Sequence, residues 1–319
     1  MANPSVSLTT LRPDLAGSVE SFDLAADRQG FIGHSVLPHM SVATTSGIFG
    51  KIPAEQLLKE MGNLDRAPGA GYQRDDTTFV QDNYSVRERG AEIVVDDREA
   101  KMYADYIQAE TLAAARAQDV VLRAAEKRVA DLCYDVSKFG NAAAGTPWLS
   151  VSSTPMVDVE EAVNAIYDRS GLWGNTLIMN KKIFRALRNN SSILDRIASS
   201  GAGNPTKVTD VTVAMLEACF DLRILVAGSS RNSAAEGQAL SPEQIWSSSS
   251  VMVAKLAATQ DVKEPCLGRT FHWSEDGGAG VVETYRDEAV RGEVVRYRHD
   301  SDEKLILSDL GQLITGTSV

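Results

Sequence analysis

No stretch of this sequence approaches the roughly 20 consecutive apolar residues that a membrane-spanning helix requires. Its first residues, MANPSVSLTTLRPDL, lack the basic start and apolar run of a secretory signal. Cysteine is scarce. Cys133, Cys219 and Cys266 form no CxxC pair, and an odd, widely spaced set is a poor disulfide framework, so a reducing cytoplasm is the natural place of synthesis. Histidine is scarce too. His34, His39, His272 and His299 show no zinc-finger or HExxH spacing, which argues against a metal centre. There is no GxxxxGK[ST] phosphate loop and no GxSxG elbow, and GAGYQR at Gly69 is not a dinucleotide fingerprint. The neighbouring carboxylates Asp75–Asp76 and Asp96–Asp97 would face opposite sides of a strand, which is wrong for a catalytic pair. The expectation is therefore no catalytic residue, no cofactor and no metal. Basic residues are also in deficit, 32 against 43 acidic, for a net charge of −11. That balance argues against a protein gripping nucleic acid over a broad face; it suits either an acidic wall along which DNA slides or a charge that serves solubility alone.

What is present is an unusual order of parts. Residues 1–30 are polar, rich in Ser, Thr and Asp, and aperiodic; they read as an arm. The apolar segment GFIGHSVLPHMSV follows and reads as an extended stretch anchored on the body. Residues 47–95 leave and return. GIFGKIPAEQLLKEMGNLD runs out, RAPGAGYQRDD is rich in Gly and charge, and TTFVQDNYSVRERGAEIVV comes back partly alternating. This reads as a long two-stranded excursion, a hairpin with little core of its own, or else as a small β subdomain. Asp65, Arg66, Arg74, Asp75 and Asp76 cluster at its tip.

The strongest signal comes next. Asp96 with Glu99 resembles a capping box, and residues 97–139 contain neither Gly nor Pro. Apolar or small residues at Met102, Tyr106, Ala109, Ala113, Ala117, Val120 and Ala124 predict one helical face, and Gly140 a stop. Forty residues of helix span about 60 Å, longer than the roughly 50 Å diameter of a sphere holding this chain. The fold class is thus α+β with an elongated shape; a coiled coil is the competing reading of an Ala-rich stripe. After GNAAAGTPWLSVSSTP the pattern becomes mixed α/β. Helices are predicted from about Asp158 to Asp168, Lys181 to Arg188, Ile193 to Ile197 and Thr209 to Phe220, and strands at 176–179, 222–227 and 251–257. A polar loop is expected over 229–242. From Pro265 the chain is strand-like: FHW, GVVETYR, GEVVRYRHD and KLILSDLGQLITG. No internal repeat is evident.

This order resembles the Hong Kong ninety-seven-type major capsid proteins of tailed phages. The residues that carry the resemblance are SVRERGAEIVVDDREAKMYADY, TPMVDVEEAVNAIYDRSG, NTLIMNKKIFRALRNNSSILDRI, VTVAMLEACFDLRILVAGSSRNSA and the closing LGRTFHW…VVETYRDEAVRGEVVRYRHDSDEKLILSDLGQLITG. It covers the chain from about Gly30 and is one of order and texture. It implies an N-terminal arm at 1–30, a lead-in at 31–46 and an E-loop at 47–95. The spine helix and peripheral (P) domain would fall at 96–150, the axial (A) domain at 151–250, and returning P-domain strands at 251–319. It further implies a non-enzymatic coat protein assembling as hexamers and pentamers into an icosahedral virion shell. Such a shell encloses double-stranded DNA without reading its sequence and is put together in the host cytoplasm. The tip residues Asp65 to Asp76 would then meet a neighbour's P-domain. Partners implied are the chain itself, a portal and a decoration protein. Only about 30 aperiodic residues precede Phe31, so either a separate scaffolding protein joins them, the reading that Met1 favours, or a fused scaffold has been removed. Some family members cross-link an E-loop lysine to a P-domain asparagine. Lys51 and Lys59 are present here, but no asparagine follows Asn232, so no such bond is expected. Two alternatives stand beside this. One is an encapsulin-type compartment shell, which the resemblance implies lacks a long free arm. The other is a soluble α/β enzyme with a convergent site.

Overall fold

The computed structural model describes residues 10–11, 30–62, 64–66, 68–69, 71–74, 78–103, 109–199, 211–261, 264–275 and 280–318. In chain order the strands are β1 (Thr10–Leu11), β2 (His39–Val42), β3 (Ser46–Lys51), β4 (Val80–Ser85), β5 (Arg87–Asp96), β6 (Gly140–Ala143), β7 (Thr176–Asn180) and β8 (Arg223–Ala227). They continue with β9 (Ser230–Asn232), β10 (Pro242–Gln244), β11 (Ser250–Ala254), β12 (Gly268–Trp273), β13 (Val281–Asp287), β14 (Gly292–Leu305) and β15 (Gly311–Thr315). The helices are α1 (Gly33–Val36), α2 (Ala54–Leu57), α3 (Asp97–Tyr103), α4 (Ala109–Cys133), α5 (Pro155–Ser170), α6 (Lys181–Leu187), α7 (Ser191–Ser199) and α8 (Val213–Phe220).

Two sheets organise the chain. The first has the order β1-β13-β14-β12-β2, with β5 on the opposite edge of β14. β14 is long enough to pair β13 through residues 292–298 and β12 through 301–305 on one side, and β5 through 292–301 on the other. The second sheet has the order β6-β15-β11-β7-β8. Its β7 is buried at every position, with Leu177, Ile178 and Met179 at its centre, as expected of a strand covered on both faces. Helix α5 covers it with Val159, Ala162 and Ile166, packed among Leu177, Met179, Val251 and Val253.

Helix α4 joins the two sheets. Its 25 residues run about 37 Å at 1.5 Å per residue. Ala113, Ala114, Ala117 and Val121 lie on the first sheet against Val282, Val295 and Tyr297. Alanines let the helix axis come close to the strands. Further along, Val129, Ala130 and Cys133 enter a second core with Phe31, Val36, Leu37, Trp246 and Met252.

Several expectations need correction. The long helix ends at Cys133, well short of Gly140. The stop is a side chain: Asp135 Oδ1 accepts the N–H of Ser137 (3.0 Å) and its hydroxyl (2.6 Å), which draws the backbone into a turn. Tyr106 lies outside the described residues, while Met102, Val120 and Ala124 are exposed. The buried line instead runs through Val121, Val129 and Cys133, because α4 changes its partner from sheet to core along its length. Of the capping box, Asp96 Oδ1 does accept the N–H of Arg98 at 2.7 Å; the side chain of Glu99 lies outside the described residues. Asp158 does not start its helix, which begins at Pro155; it binds the lead-in instead, accepting from Trp148 Nε1 at 2.7 Å and Gly145 N at 3.2 Å. The supposedly extended segment after Gly30 contains the single turn α1. The polar loop 229–242 contains β9, which pairs with β10. The last strand, β15, joins the second sheet beside β11 instead of the closing strands of the first. Apart from β1, which pairs with β13, and Gly30 at its end, the expected arm lies outside the described residues.

Ala117 is fully buried under Val295 and Tyr297. Ala117→Glu should therefore lose about 3–5 kcal/mol of stability by urea unfolding, the scale of an unpaired buried charge. Val120→Glu, one turn on and exposed, should change it by less than about 0.5 kcal/mol. Equal effects of the two would show that the buried face has been misassigned.

Candidate intersubunit surface

The excursion is a hairpin of β3 and β4, in register from Ser46↔Ser85 to Lys51↔Val80. Period-two alternation sends one set of side chains inward. Phe49 and Tyr84 rest on Phe271 of β12, with ring centroids 5.2 and 5.0 Å away, and Tyr84 stacks at 18°. Lys51 closes the outer end of this face on Asp82 at 3.2 Å. At the base, the N–H of Ser85 donates to Asp302 Oδ2 at 2.8 Å. The opposite face has no such cover: Ile48 is 71% exposed, and beyond the paired strands Leu64 and Tyr72 reach 69% and 72%. Isolated exposed apolar residues are common; three on one element, on the side away from the sheet, make that side a candidate contact surface.

Of the expected tip residues, Asp65, Arg66 and Arg74 are all exposed. Arg66 packs its guanidinium 4.7 Å over the Tyr72 ring and donates to the Tyr72 hydroxyl at 3.4 Å. Asp75 and Asp76 lie outside the described residues. The tip thus carries a cation on an aromatic ring.

The body that holds the hairpin is cross-linked by two buried carboxylates. Glu126 of α4 accepts from Ile32 N (2.9 Å), Gly33 N (2.7 Å) and Trp246 Nε1 (2.5 Å). Burial pushes its carboxyl up, and the three donors pull the other way. Gly33 is required there, since a Cβ would stand 2.5 Å from Glu126 Oε2. Glu303 of β14 takes a two-point bond from Arg128 at 2.8 and 3.1 Å, with Arg89 at 3.7 Å. Burial pushes Glu303 up, but these guanidiniums win and hold it below the usual carboxylate range.

Strand pairing also gathers three histidines that are far apart in sequence. The His39 ring lies 5.7 Å from His272 and 5.8 Å from His299, on β2, β12 and β14. Sequence spacing missed this, because strand registry brings them together; the available signal was one histidine in each of three strands. Among the described residues no group of His, Cys, Asp or Glu is arranged to hold a metal ion. The three thiols stay protonated at neutral pH: burial pushes Cys133 up to about 12 and raises Cys219 and Cys266 as well. Among the described residues no helix is long and apolar enough to cross a membrane.

No family model and no curated relative matches the sequence. Solved structures do match. A phage-related protein from Bordetella bronchiseptica RB50 aligns with a TM-score of 0.71 at 22% identity, over 98% of this chain and 99% of its own. The capsid of cyanophage P-SCSP1u gives 0.56 at 10% identity, over 89% and 87%. The SrpI encapsulin of Synechococcus elongatus PCC 7942 gives 0.50 at 8%, over 89% and 86%. The chain has the α+β fold of these structures, the Hong Kong ninety-seven-type architecture that its sequence resembles.

The histidine cluster makes stability fall with acid. Burial first, and then the charges of His299, His272 and His34, lower His39 to about 4, with Glu303 opposing; burial also lowers His272. The unfolded chain takes up protons below about pH 6.5 that the folded cluster refuses. Stability is therefore complete above that pH and is lost progressively down to about pH 4. Urea midpoints of the wild type should drop across this window by more than those of His39→Gln. Parallel curves would remove the cluster as the cause.

Proposed function

We propose that this chain is the major capsid protein of a tailed phage, a tile that assembles through hexamers and pentamers into an icosahedral shell around double-stranded DNA. One observation carries the reading: on a fold shared with shell proteins, the hairpin of β3 and β4 projects apolar side chains that its own subunit leaves uncovered. A closed shell repeats one contact around every ring, so modest individual contacts add up. In this reading the hairpin is the E-loop, α4 the spine helix, the first sheet the P-domain and the second sheet the A-domain. The tip residues Asp65, Arg66, Arg74, Asp75 and Asp76 face a neighbour. A surface ion pair there is worth only about 0–1 kcal/mol, so the apolar residues beside it, Leu64 and Tyr72, supply the larger share. The role is structural and not enzymatic. A scaffolding protein, a portal and a decoration protein belong to the same proposal, and co-expression of a scaffolding protein should turn irregular assemblies into uniform ones.

An encapsulin-type compartment is the second reading, favoured by the match to the SrpI encapsulin. The contents of particles purified from producing cells decide between them: DNA supports the phage shell, a cargo enzyme the compartment.

Removing residues 64–74 should leave the unfolding transition of the subunit within about 1 kcal/mol of the wild type, while sedimentation shows particles lost. Loss of folding would make the segment part of the core. Since no asparagine follows Asn232, mature particles should run as a single monomer band on denaturing gels; a covalent ladder would refute this.

A further inference from the structure

Helix α5 closes on Gly171, whose φ of 66° is the left-handed cap, with its N–H bonded to the Tyr167 carbonyl at 2.6 Å. Glycine suits that backbone, and here it has a second duty. A Cβ on Gly171 would stand 2.1 Å from Leu58 Cδ1. Leu58, just past α2 in the hairpin, therefore occupies the space a side chain would fill. On either side in sequence, Tyr167 and Trp173 stack at 4.2 Å and 17°, and both remain exposed. The notch thus has a glycine floor, and Leu58 lies over it while staying 55% exposed. At the outer end of the paired strands a gap of about 400 Å³ lies between Ile52 and Phe79 on the hairpin and Pro265 and Leu307 on the body.

We propose that this notch is a docking seat for the hairpin leucine of a second copy, filled by the chain's own Leu58 in the lone subunit and by a neighbour's Leu58 in the assembly. The proposal rests on the shell reading above. The occupant is identified by the chain itself, since a leucine on this hairpin already fits the seat. Exchanging an identical element between copies requires no new complementarity. That gap, and the exposed Ile48, Leu64 and Tyr72, leave the self-docked state with apolar surface still to cover.

Intersubunit complementation tests this. Leu58→Asp removes the apolar tip and keeps the seat. Gly171→Asn fills the seat with a residue that tolerates positive φ, and keeps the leucine. Circular dichroism first establishes that both fold; Leu58→Ala replaces Leu58→Asp if it does not, and Gly171→Asp, which also tolerates positive φ, replaces Gly171→Asn. Each variant alone should give at least several-fold fewer particles than the wild type by sedimentation. An equimolar mixture should recover several-fold more than either alone, because the intact leucine of one copy reaches the intact seat of the other. Two impaired variants without recovery would confine the contact to a single subunit and overturn the proposal. Unimpaired variants would overturn it too. If the wild type itself formed no particles, the shell reading would fall, and the seat with it.

Discussion

The carboxylate of Glu126 is where three separately folded parts of the chain become one body. It lies on the long helix, caps the first turn of the segment after Gly30 through two backbone N–H groups, and holds the indole of Trp246 from the loop ahead of the second sheet. A buried carboxylate is costly unless its oxygens are satisfied. Here three donors converge on it, and each would be stranded without it at a cost of about 1–3 kcal/mol. The arrangement is mutually dependent. Gly30, with φ of 80°, lets its carbonyl accept from Gly228 at 3.0 Å and admits no Cβ beside that backbone. Gly33 yields room for the carboxylate itself. The lead-in to the hairpin is thereby fixed on the same helix that supports the first sheet.

That fixed base explains how a hairpin with one covered face keeps its direction. Phe49 and Tyr84 lean on Phe271, and the other face is left for contact. The same sheet carries the histidine cluster, and its His39 lies on β2, the strand that leads into the hairpin, so the element with the least internal cover is tethered to a strand whose imidazole is kept neutral by burial.

Local features of the sequence were legible where local rules decide the structure. The absence of Gly and Pro over 97–139 marked the long helix, and the Gly-rich, charged interval between two alternating runs marked the hairpin. The end of the helix was missed because Asp135 ends it through its own side chain, which a search for glycine passes over. The turn α1 was invisible because its capping acceptor lies more than 90 residues away. The buried stripe drifted at Val120 because its position depends on which partner each turn meets. The histidines met only through the registers β2–β12 and β12–β14. Of the five tip residues, Asp65, Arg66 and Arg74 are solvent-facing, but the ring under Arg66 belongs to Tyr72, which charge patterning alone does not single out.

The length of β14 has a mechanical meaning. Its 14 residues are gripped by β13 and β12 in succession on one side and by β5 along most of the other. Ladder hydrogen bonds run perpendicular to antiparallel strands. A pull along β14 therefore loads many of them together in shear, and they must fail collectively. A pull across the sheet would peel them one at a time. The first sheet is stiff along this axis and weak across it, so tension applied to the subunit is best carried when it runs parallel to β14.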